Sequence, residues 1–175
     1  AKETRGSAYR FFDPDLDEAS RRYWRIEREL RAALAENRFE LHYQPKICAK
    51  RGIPAGAEAL IRMRNAEGEL VSPGAFIPVA ESTGLIAPIG RWALEQAART
   101  LMTCGEALRA PIAVNVSAVQ FAQDDLLSLV RDTLAKTGVS PTQLELEVTE
   151  SVVADDLDRV TATLRALRDL GVSVS

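Results

Sequence analysis

The sequence predicts a mixed α/β fold, namely a partial (β/α)8 barrel of the TIM type preceded by a linker helix. Short strand patterns alternate with helical patterns from Phe39 onwards, which is typical of parallel strands joined by helical crossovers. The chain has 175 residues, whereas a complete eightfold barrel needs roughly 200–250 residues. We therefore expect about four and a half βα units, with strand edges that further chain would complete.

The composition is that of a folded domain rather than of a disordered or nucleic-acid-binding chain. Hydrophobic residues make up 46% and charged residues 27% of the sequence, which supports a buried core. The formal charge of −3 offers no basic footprint for long nucleic acids. No apolar run approaches the roughly 20 residues that span a bilayer. Cys48 and Cys104 form no C-x-x-C motif, as is usual for reduced thiols. We therefore expect a cytoplasmic protein without membrane contact from this segment.

Residues 1–37 are predicted to form a linker with an amphipathic helix. The helix is expected to begin at Asp13–Asp15, where proline occupies a first-turn position and the acids favour the positive end of the helix dipole. Apolar residues then recur at helical spacing, at Tyr23, Ile26, Leu30, Ala33 and Leu34. Because this stripe is narrow, a solvated helix and a helix that pairs with a partner helix are both open interpretations.

Residues 38–175 carry the predicted barrel elements. Strands are predicted over residues 39–44, 57–62, 112–116, 144–149 and 172–175. Helices are predicted over residues 73–82, 89–108, 124–137 and 155–170. Pro45 is expected to end the first strand, and Gly138 and Gly171 to end helices. The last strand pattern is still open at Ser175, so we expect the domain to continue beyond this residue.

Polar side chains alternate along one face of several predicted strands. The residues on these faces are Glu58, Leu60, Arg62, Ala113, Asn115, Glu145, Glu147 and Thr149. In a barrel wrapped by helices these faces point toward the axis, and the carboxylates would repel unless a cation lay between them. Oxygen ligands of this kind suit Mg²⁺ or Mn²⁺. An antiparallel or open sheet whose acidic face meets water explains the alternation equally well.

Five ordered sequence blocks resemble the EAL domain family. They are Tyr43–Pro45 (YQP), Glu58–Arg62 (EALIR), Phe76–Glu81 (FIPVAE), Val114–Ser117 (VNVS) and Glu147–Ser151 (EVTES). The upstream segment Tyr9–Pro14 (YRFFDP) and the helix after it resemble the linker that joins a GGDEF domain to an EAL domain. The resemblance implies a bacterial signalling protein, with a GGDEF or sensory domain upstream and residues 38–175 as the N-terminal portion of the EAL domain.

The resemblance also implies an activity and a set of site residues. EAL domains are (β/α)8-type barrels, usually with one strand running against the others. Active members hydrolyse cyclic di-GMP to linear pGpG with two Mg²⁺ or Mn²⁺ ions. By motif, Glu58, Asn115 and Glu147 are implied as metal ligands. The implied substrate contacts are Gln44, Leu60 and Arg62, and Glu150 is implied to order the loop after the fifth strand of the full domain.

Several family features lie outside the five blocks. The Asp-Asp-Phe-Gly-Thr-Gly-type loop and a later lysine, glutamate and glutamine are not among the 175 residues. A partial ligand set should hold Mg²⁺ weakly, so we expect no useful hydrolysis from residues 1–175 alone. A non-catalytic cyclic di-GMP sensor, or a protein-interaction module with a degenerate EAL fold, is the alternative. Unpaired strand edges also make a homodimer conceivable.

Two residues near the motifs, His42 and Glu145, are predicted to have structural roles rather than catalytic ones. His42 shares a face with Gln44, and Glu145 with Glu147, but no family motif uses either residue. Met63 stands where the family often has tryptophan, which predicts altered substrate packing.

Overall fold

A mixed sheet of six strands forms the centre of the molecule. The computed structural model describes residues 14–104, 110–123, 126–148 and 157–175. The strands are β1 (Phe39–Cys48), β2 (Ile53–Arg64), β3 (Leu70–Val71), β4 (Ile112–Val116), β5 (Leu144–Val148) and β6 (Ser173–Val174). The helices are α1 (Pro14–Ala35), α2 (Pro73–Ser82), α3 (Ile86–Cys104), α4 (Ala118–Gln123), α5 (Leu126–Thr137) and α6 (Leu157–Asp169). A 3₁₀ turn covers Pro141–Gln143.

The strand order is β1-β2-β4-β5-β6, with β3 paired to the end of β2. Strand β1 runs antiparallel to β2, whereas β2, β4, β5 and β6 run parallel to one another. Helices connect the parallel strands, as a parallel sheet requires. This arrangement confirms the predicted α/β class and matches a partial barrel with one inverted strand.

Several predicted boundaries are wrong, among them both ends of the second strand, which spans Ile53–Arg64 rather than residues 57–62. Strand β1 does not end at Pro45 but continues to Cys48. In the described residues β1 pairs with β2 alone, and an outer strand tolerates proline because a nitrogen that faces away from the partner makes no ladder bond. Helix α3 begins at Ile86 rather than at residue 89. Pro88 therefore lies in its first turn, where the missing N–H has no helical partner to lose.

The larger core cluster lies between the sheet and helices α3, α5 and α6. Ile112, Leu144 and Leu146 of the central strands are fully buried against Leu101 and Leu167 of the helices. The apolar side chains of β4 and β5 thus face the helices. The alternating side chains of these strands are left on the opposite face of the sheet.

A second core cluster joins helix α1 to α2 and to β1 and β2. Leu30 and Ala33 are completely buried in it, whereas Trp24, one and a half turns earlier, is 66% exposed. The apolar stripe of α1 therefore packs within this chain, against α2 and the sheet. A linker role for residues 1–37 stays a prediction.

Met63 is also part of this second cluster and is 1% exposed. It faces the helices, opposite to its neighbour Arg62, so it shapes packing behind the sheet and does not lie on the predicted substrate face. Within the described residues, the helices are all too short or too polar to cross a membrane.

Candidate functional site

The register of the strands brings the predicted site residues onto one face of the sheet. Gln44 lies opposite Glu58, and His42 opposite Leu60. Asn115 lies beside Glu147 on the neighbouring strand. Glu58 pairs with Ala113, which shares its face with Asn115 two residues later. Because residues in register share a face of the sheet, Gln44, Leu60, Arg62, Glu58, Asn115 and Glu147 all project from the same side.

Asn115 makes the direct link between two of the implied metal ligands. Its Nδ2 donates a hydrogen bond to Glu58 Oε1 over 2.8 Å. This bond orients the Glu58 carboxylate and leaves the Asn115 amide oxygen as a separate acceptor. Glu58 is half-buried. Glu147 lies on the neighbouring strand β5, paired with Asn115.

Lys46 is a site residue that the sequence analysis missed. Its Nζ lies 2.5 Å from Glu147 Oε1 and 3.2 Å from Glu145 Oε1. Partial burial acts to lower the pKa of the Lys46 ammonium, but hydrogen bonds and charges from Glu147 and Glu145 outweigh it, so the pKa lies above the usual lysine value. The available signal was alternation, since Lys46 is two residues after Gln44 on β1.

The contact of Lys46 with Glu145 and Glu147 shows that the sheet is curved. Strands β1 and β5 are separated by β2 and β4, which on a flat sheet places them about 14 Å apart. The Lys46 stem passes Gly56, its partner on β2. A Cβ added at Gly56 would lie 3.7 Å from Lys46 Cδ. A curved sheet with small residues along this path therefore lets a β1 side chain reach β5, as expected for a segment of a barrel wall.

The donor chemistry of the site fits a hard divalent cation, although the set is small. Glu58 and Glu147 supply carboxylate oxygens and Asn115 an amide oxygen, which Mg²⁺ and Mn²⁺ accept. Within the described residues, no three His, Cys, Asp or Glu side chains are gathered in a way that could hold a metal ion. The amide of Asn115 would thus have to serve as the third donor.

A cavity of about 300 Å³ opens where β2 and β4 diverge. The two strands are paired only as far as Ala59 and Val114. Leu60, Arg62 and Asn115 line the cavity from the strands, and helices α2 and α3 close its other side. Mostly apolar walls with a few polar groups are typical of small-molecule sites. Gln44, Glu58 and Glu147 are on the same face of the sheet but are not part of this cavity wall.

Of the two remaining predicted site residues, Arg62 is described by the structure and Glu150 is not. Arg62 Nη1 donates to the carbonyl oxygen of Ile61 over 2.9 Å, which uses one of the five donors of the guanidinium. Glu150 lies outside the described residues.

The loop after Asn115 is fixed by a reciprocal cap. Ser117 Oγ accepts a hydrogen bond from the backbone N–H of Gln120, and Gln120 Oε1 accepts one from the N–H of Ser117. Gln120 is 4% exposed, and a Cβ at Gly90 of α3 would overlap its amide at 1.7 Å. This S-x-x-Q pattern was readable from the sequence as a capping box, but its contact with Gly90 was not.

The architecture and the ordered motifs agree with a known family. The EAL domain family model matches residues 27–175, and the chain belongs to the EAL domain family. The signaling protein YkoW of Bacillus subtilis is 42% identical over 178 residues, which cover all of this chain and 22% of YkoW. The bifunctional diguanylate cyclase/cyclic di-GMP phosphodiesterase MucR of Pseudomonas aeruginosa is 38% identical over 177 residues, covering all of this chain and 26% of MucR. The chain thus spans about a quarter of these curated relatives.

Solved structures of the family superpose on the fold. The PaMucR phosphodiesterase in complex with c-di-GMP has a TM-score of 0.79 and 41% identity, covering 86% of this chain and 62% of that one. The FimX EAL domain of Xanthomonas citri in complex with c-di-GMP has a TM-score of 0.78 and 29% identity, covering 90% and 62% of the two chains. The chain is therefore related to cyclic di-GMP phosphodiesterases, and neighbours of its fold bind that nucleotide.

Proposed function

We propose that this chain forms part of a metal-dependent phosphodiesterase that hydrolyses cyclic di-GMP to linear pGpG. The observation that carries the proposal is the shared face of Glu58, Asn115 and Glu147, which lie on adjacent parallel strands next to the cavity that contains Arg62. Membership of the EAL domain family and the similarity to MucR support it.

Each residue of the site has a proposed task. Glu58, Asn115 and Glu147 would hold Mg²⁺ or Mn²⁺, which when bound polarises the phosphate and lowers the pKa of an attacking water. Arg62 would pair with a phosphate oxygen, because a guanidinium forms charge-assisted bonds to such oxygens. Leu60 would pack against a guanine and Gln44 would contact the nucleotide. Glu150 would order the loop after the fifth strand of the full domain.

The donor set found among the described residues is small for efficient chemistry on its own. Mg²⁺ demands near-ideal octahedral geometry and loses water reluctantly, and three protein oxygens do not enforce that geometry. We therefore propose that residues 1–175 alone do not turn over substrate at a useful rate, and that the family's later motifs are needed.

A cyclic di-GMP sensor is the second candidate function. The observation that favours it is the ion pair between Lys46 and Glu147, in which an ammonium contacts an implied metal ligand. The cavity beside Arg62 does not include Glu147, so a nucleotide held in that cavity would not need a metal ion at Glu147.

The wider setting is also a proposal. We propose that the protein acts in the bacterial cytoplasm, that a GGDEF or sensory domain precedes the linker helix, and that a homodimer forms through strand edges. Light scattering of residues 1–175, in which these edges are open, tests the last point, since a single monomer mass over a wide concentration range would contradict it.

One assay separates the enzyme from the sensor. The full-length protein is incubated with cyclic di-GMP in Mn²⁺ and in EDTA, and products are resolved chromatographically while binding is measured by calorimetry. We expect pGpG in Mn²⁺ only, loss of turnover in Glu58→Gln with binding retained, and weaker binding in Arg62→Ala. Tight binding without pGpG in Mn²⁺ would support the sensor and contradict the enzyme.

A further inference from the structure

We propose that Lys46 is a positioning residue that competes with the divalent cation for Glu147, and that Glu145 is its second anchor. This inference rests on the proposed metal site at Glu58, Asn115 and Glu147. It assigns functions to two residues outside the five motif positions, because Lys46 follows the Tyr43–Pro45 block and Glu145 precedes the Glu147–Ser151 block.

The ammonium is placed on the metal ligand itself. Lys46 Nζ donates a charge-assisted hydrogen bond to Glu147 Oε1. A carboxylate oxygen that accepts this bond donates less charge to a metal. Two cations that share one carboxylate in a partly buried site also repel each other with little screening. Metal binding at Glu147 is therefore opposed by Lys46.

Glu145 gives Lys46 a second place to bind. Glu145 Oε1 lies 3.2 Å from Lys46 Nζ and accepts a hydrogen bond from Ser175 Oγ over 2.9 Å. Glu145 pairs with Ala113 rather than with Asn115, so its strand neighbour offers no metal ligand. Glu145 can thus retain the ammonium when a metal ion engages Glu147.

The Lys46 side chain has room because its partner on β2, Gly56, has no side chain. Its stem runs past Gly56, where an added Cβ would also lie 2.9 Å from the Pro111 carbonyl oxygen. A residue larger than glycine at position 56 would therefore press against the Pro111 carbonyl oxygen, whereas glycine leaves room for the Lys46 stem. The Lys46 stem can therefore run past Gly56 toward the two carboxylates of β5.

Direct titration with Mn²⁺ tests the competition. Binding is measured on the full-length protein by the paramagnetic resonance signal of free Mn²⁺, without nucleotide. Lys46→Gln removes the charge and keeps most of the length, and we expect about tenfold tighter Mn²⁺ binding. Lys46→Arg keeps the charge and should bind Mn²⁺ much as the wild type does. Unchanged or weaker binding in Lys46→Gln overturns the proposal, because a merely structural lysine would loosen the site when removed.

Glu145→Gln provides an independent variant that keeps Lys46. Without its second anchor the ammonium stays on Glu147, so Mn²⁺ binding should weaken several-fold in the wild-type background and change little in the Lys46→Gln background. An equal loss in both backgrounds would show a direct charge effect of Glu145 and would contradict its anchoring role.

Glu58→Gln separates this inference from the proposed function. Loss of specific Mn²⁺ binding in Glu58→Gln supports the metal site, whatever Lys46 does. If Glu58→Gln leaves Mn²⁺ binding unchanged, the metal site itself is wrong and the inference falls with it. If Glu58→Gln abolishes binding while Lys46→Gln has no effect, only the role of Lys46 is wrong.

Discussion

Asn115 shows how an uncharged side chain organises a charged site. Its amide donates to Glu58, and its strand position is in register with Glu147, so it lies between the strands that carry these two carboxylates. An amide can do this without adding to the repulsion between the carboxylates, because it presents a donor to one and an acceptor to the surroundings.

Asn115→Asp tests this role of the amide. The change places a carboxylate where Nδ2 now donates to Glu58, so two like charges would meet at hydrogen-bond distance. We expect a loss of about 1–3 kcal/mol of stability in EDTA, and a larger stabilisation by Mn²⁺ than in the wild type. Thermal unfolding with EDTA and with Mn²⁺ measures both effects. Equal stability of the two proteins in EDTA would contradict the account.

Gly90→Ala tests the packing that holds the loop after Asn115. The added methyl group would overlap the Gln120 amide and force it off the N–H of Ser117. We expect a loss of about 1–3 kcal/mol from overpacking and the broken cap. Gly74→Ala in α2 is the matched control, because its Cβ would meet only Ser72 Oγ at 3.8 Å.

Gln120→Ala then separates the clash from the cap. Adding Gly90→Ala to Gln120→Ala should cost much less than adding it to the wild type, because the overlapping amide is gone. Chemical denaturation of the four proteins gives the coupling. Additive losses would mean that Gly90 is required for some other reason.

The residue-level predictions succeeded where the information was local. Alternation along each strand placed Glu58, Arg62, Asn115 and Glu147 on one face, because the side-chain period of a strand is two. Lys46 was missed because its partner Glu147 is 101 positions away, and the curvature that joins them is a property of the whole sheet. Periodicity cannot report such a contact.

At the level of elements, helix α1 is bound to the domain by its second half. Leu30 and Ala33 are buried against α2 and the sheet. Arg38, just after the helix, donates from Nη1 to the Arg64 carbonyl oxygen over 2.6 Å and to Glu29 Oε2 over 3.1 Å. These contacts connect the end of α1 to the end of β2. A displacement of α1 would therefore strain its contacts with β2, the strand that carries Glu58 and Arg62.

Leu30→Ala measures this attachment. A fully buried leucine is replaced, so we expect a loss of about 2–5 kcal/mol in the free energy of unfolding. Trp24→Ala on the exposed face of the same helix should change it by less than about 0.5 kcal/mol. Urea denaturation followed by circular dichroism gives both values. Similar small effects for the two variants would indicate a helix that is independent of the domain.

The element boundaries show what sequence patterns can and cannot give. Helix α2 matches its predicted range of 73–82, since its ends carry strong local signals. The extent of β1 through Pro45 and of β2 from Ile53 to Arg64 depends on pairing between two distant segments. Proline is disruptive only if its nitrogen faces a partner strand, and the sequence does not state which way it faces.

For the molecule as a whole, the curved sheet separates a packed face from a polar one. Helices cover the side that bears Ile112, Leu144 and Leu146, and the other side gathers carboxylates, an amide and cationic side chains from β1, β2, β4 and β5. The parallel order followed from the alternation of elements. The family resemblance implied one reversed strand without saying which, because no local pattern in residues 39–48 indicates strand direction, and the structure shows that it is β1.

The most direct test of the account is an anomalous-scattering map of the full-length protein crystallised with Mn²⁺. We expect an ion within about 2.5 Å of carboxylate oxygens from both Glu58 and Glu147 and of the Asn115 amide oxygen. We also expect that Lys46 Nζ then contacts Glu145 rather than Glu147. An ion bound elsewhere, with Glu58 and Glu147 sharing none, would contradict the account.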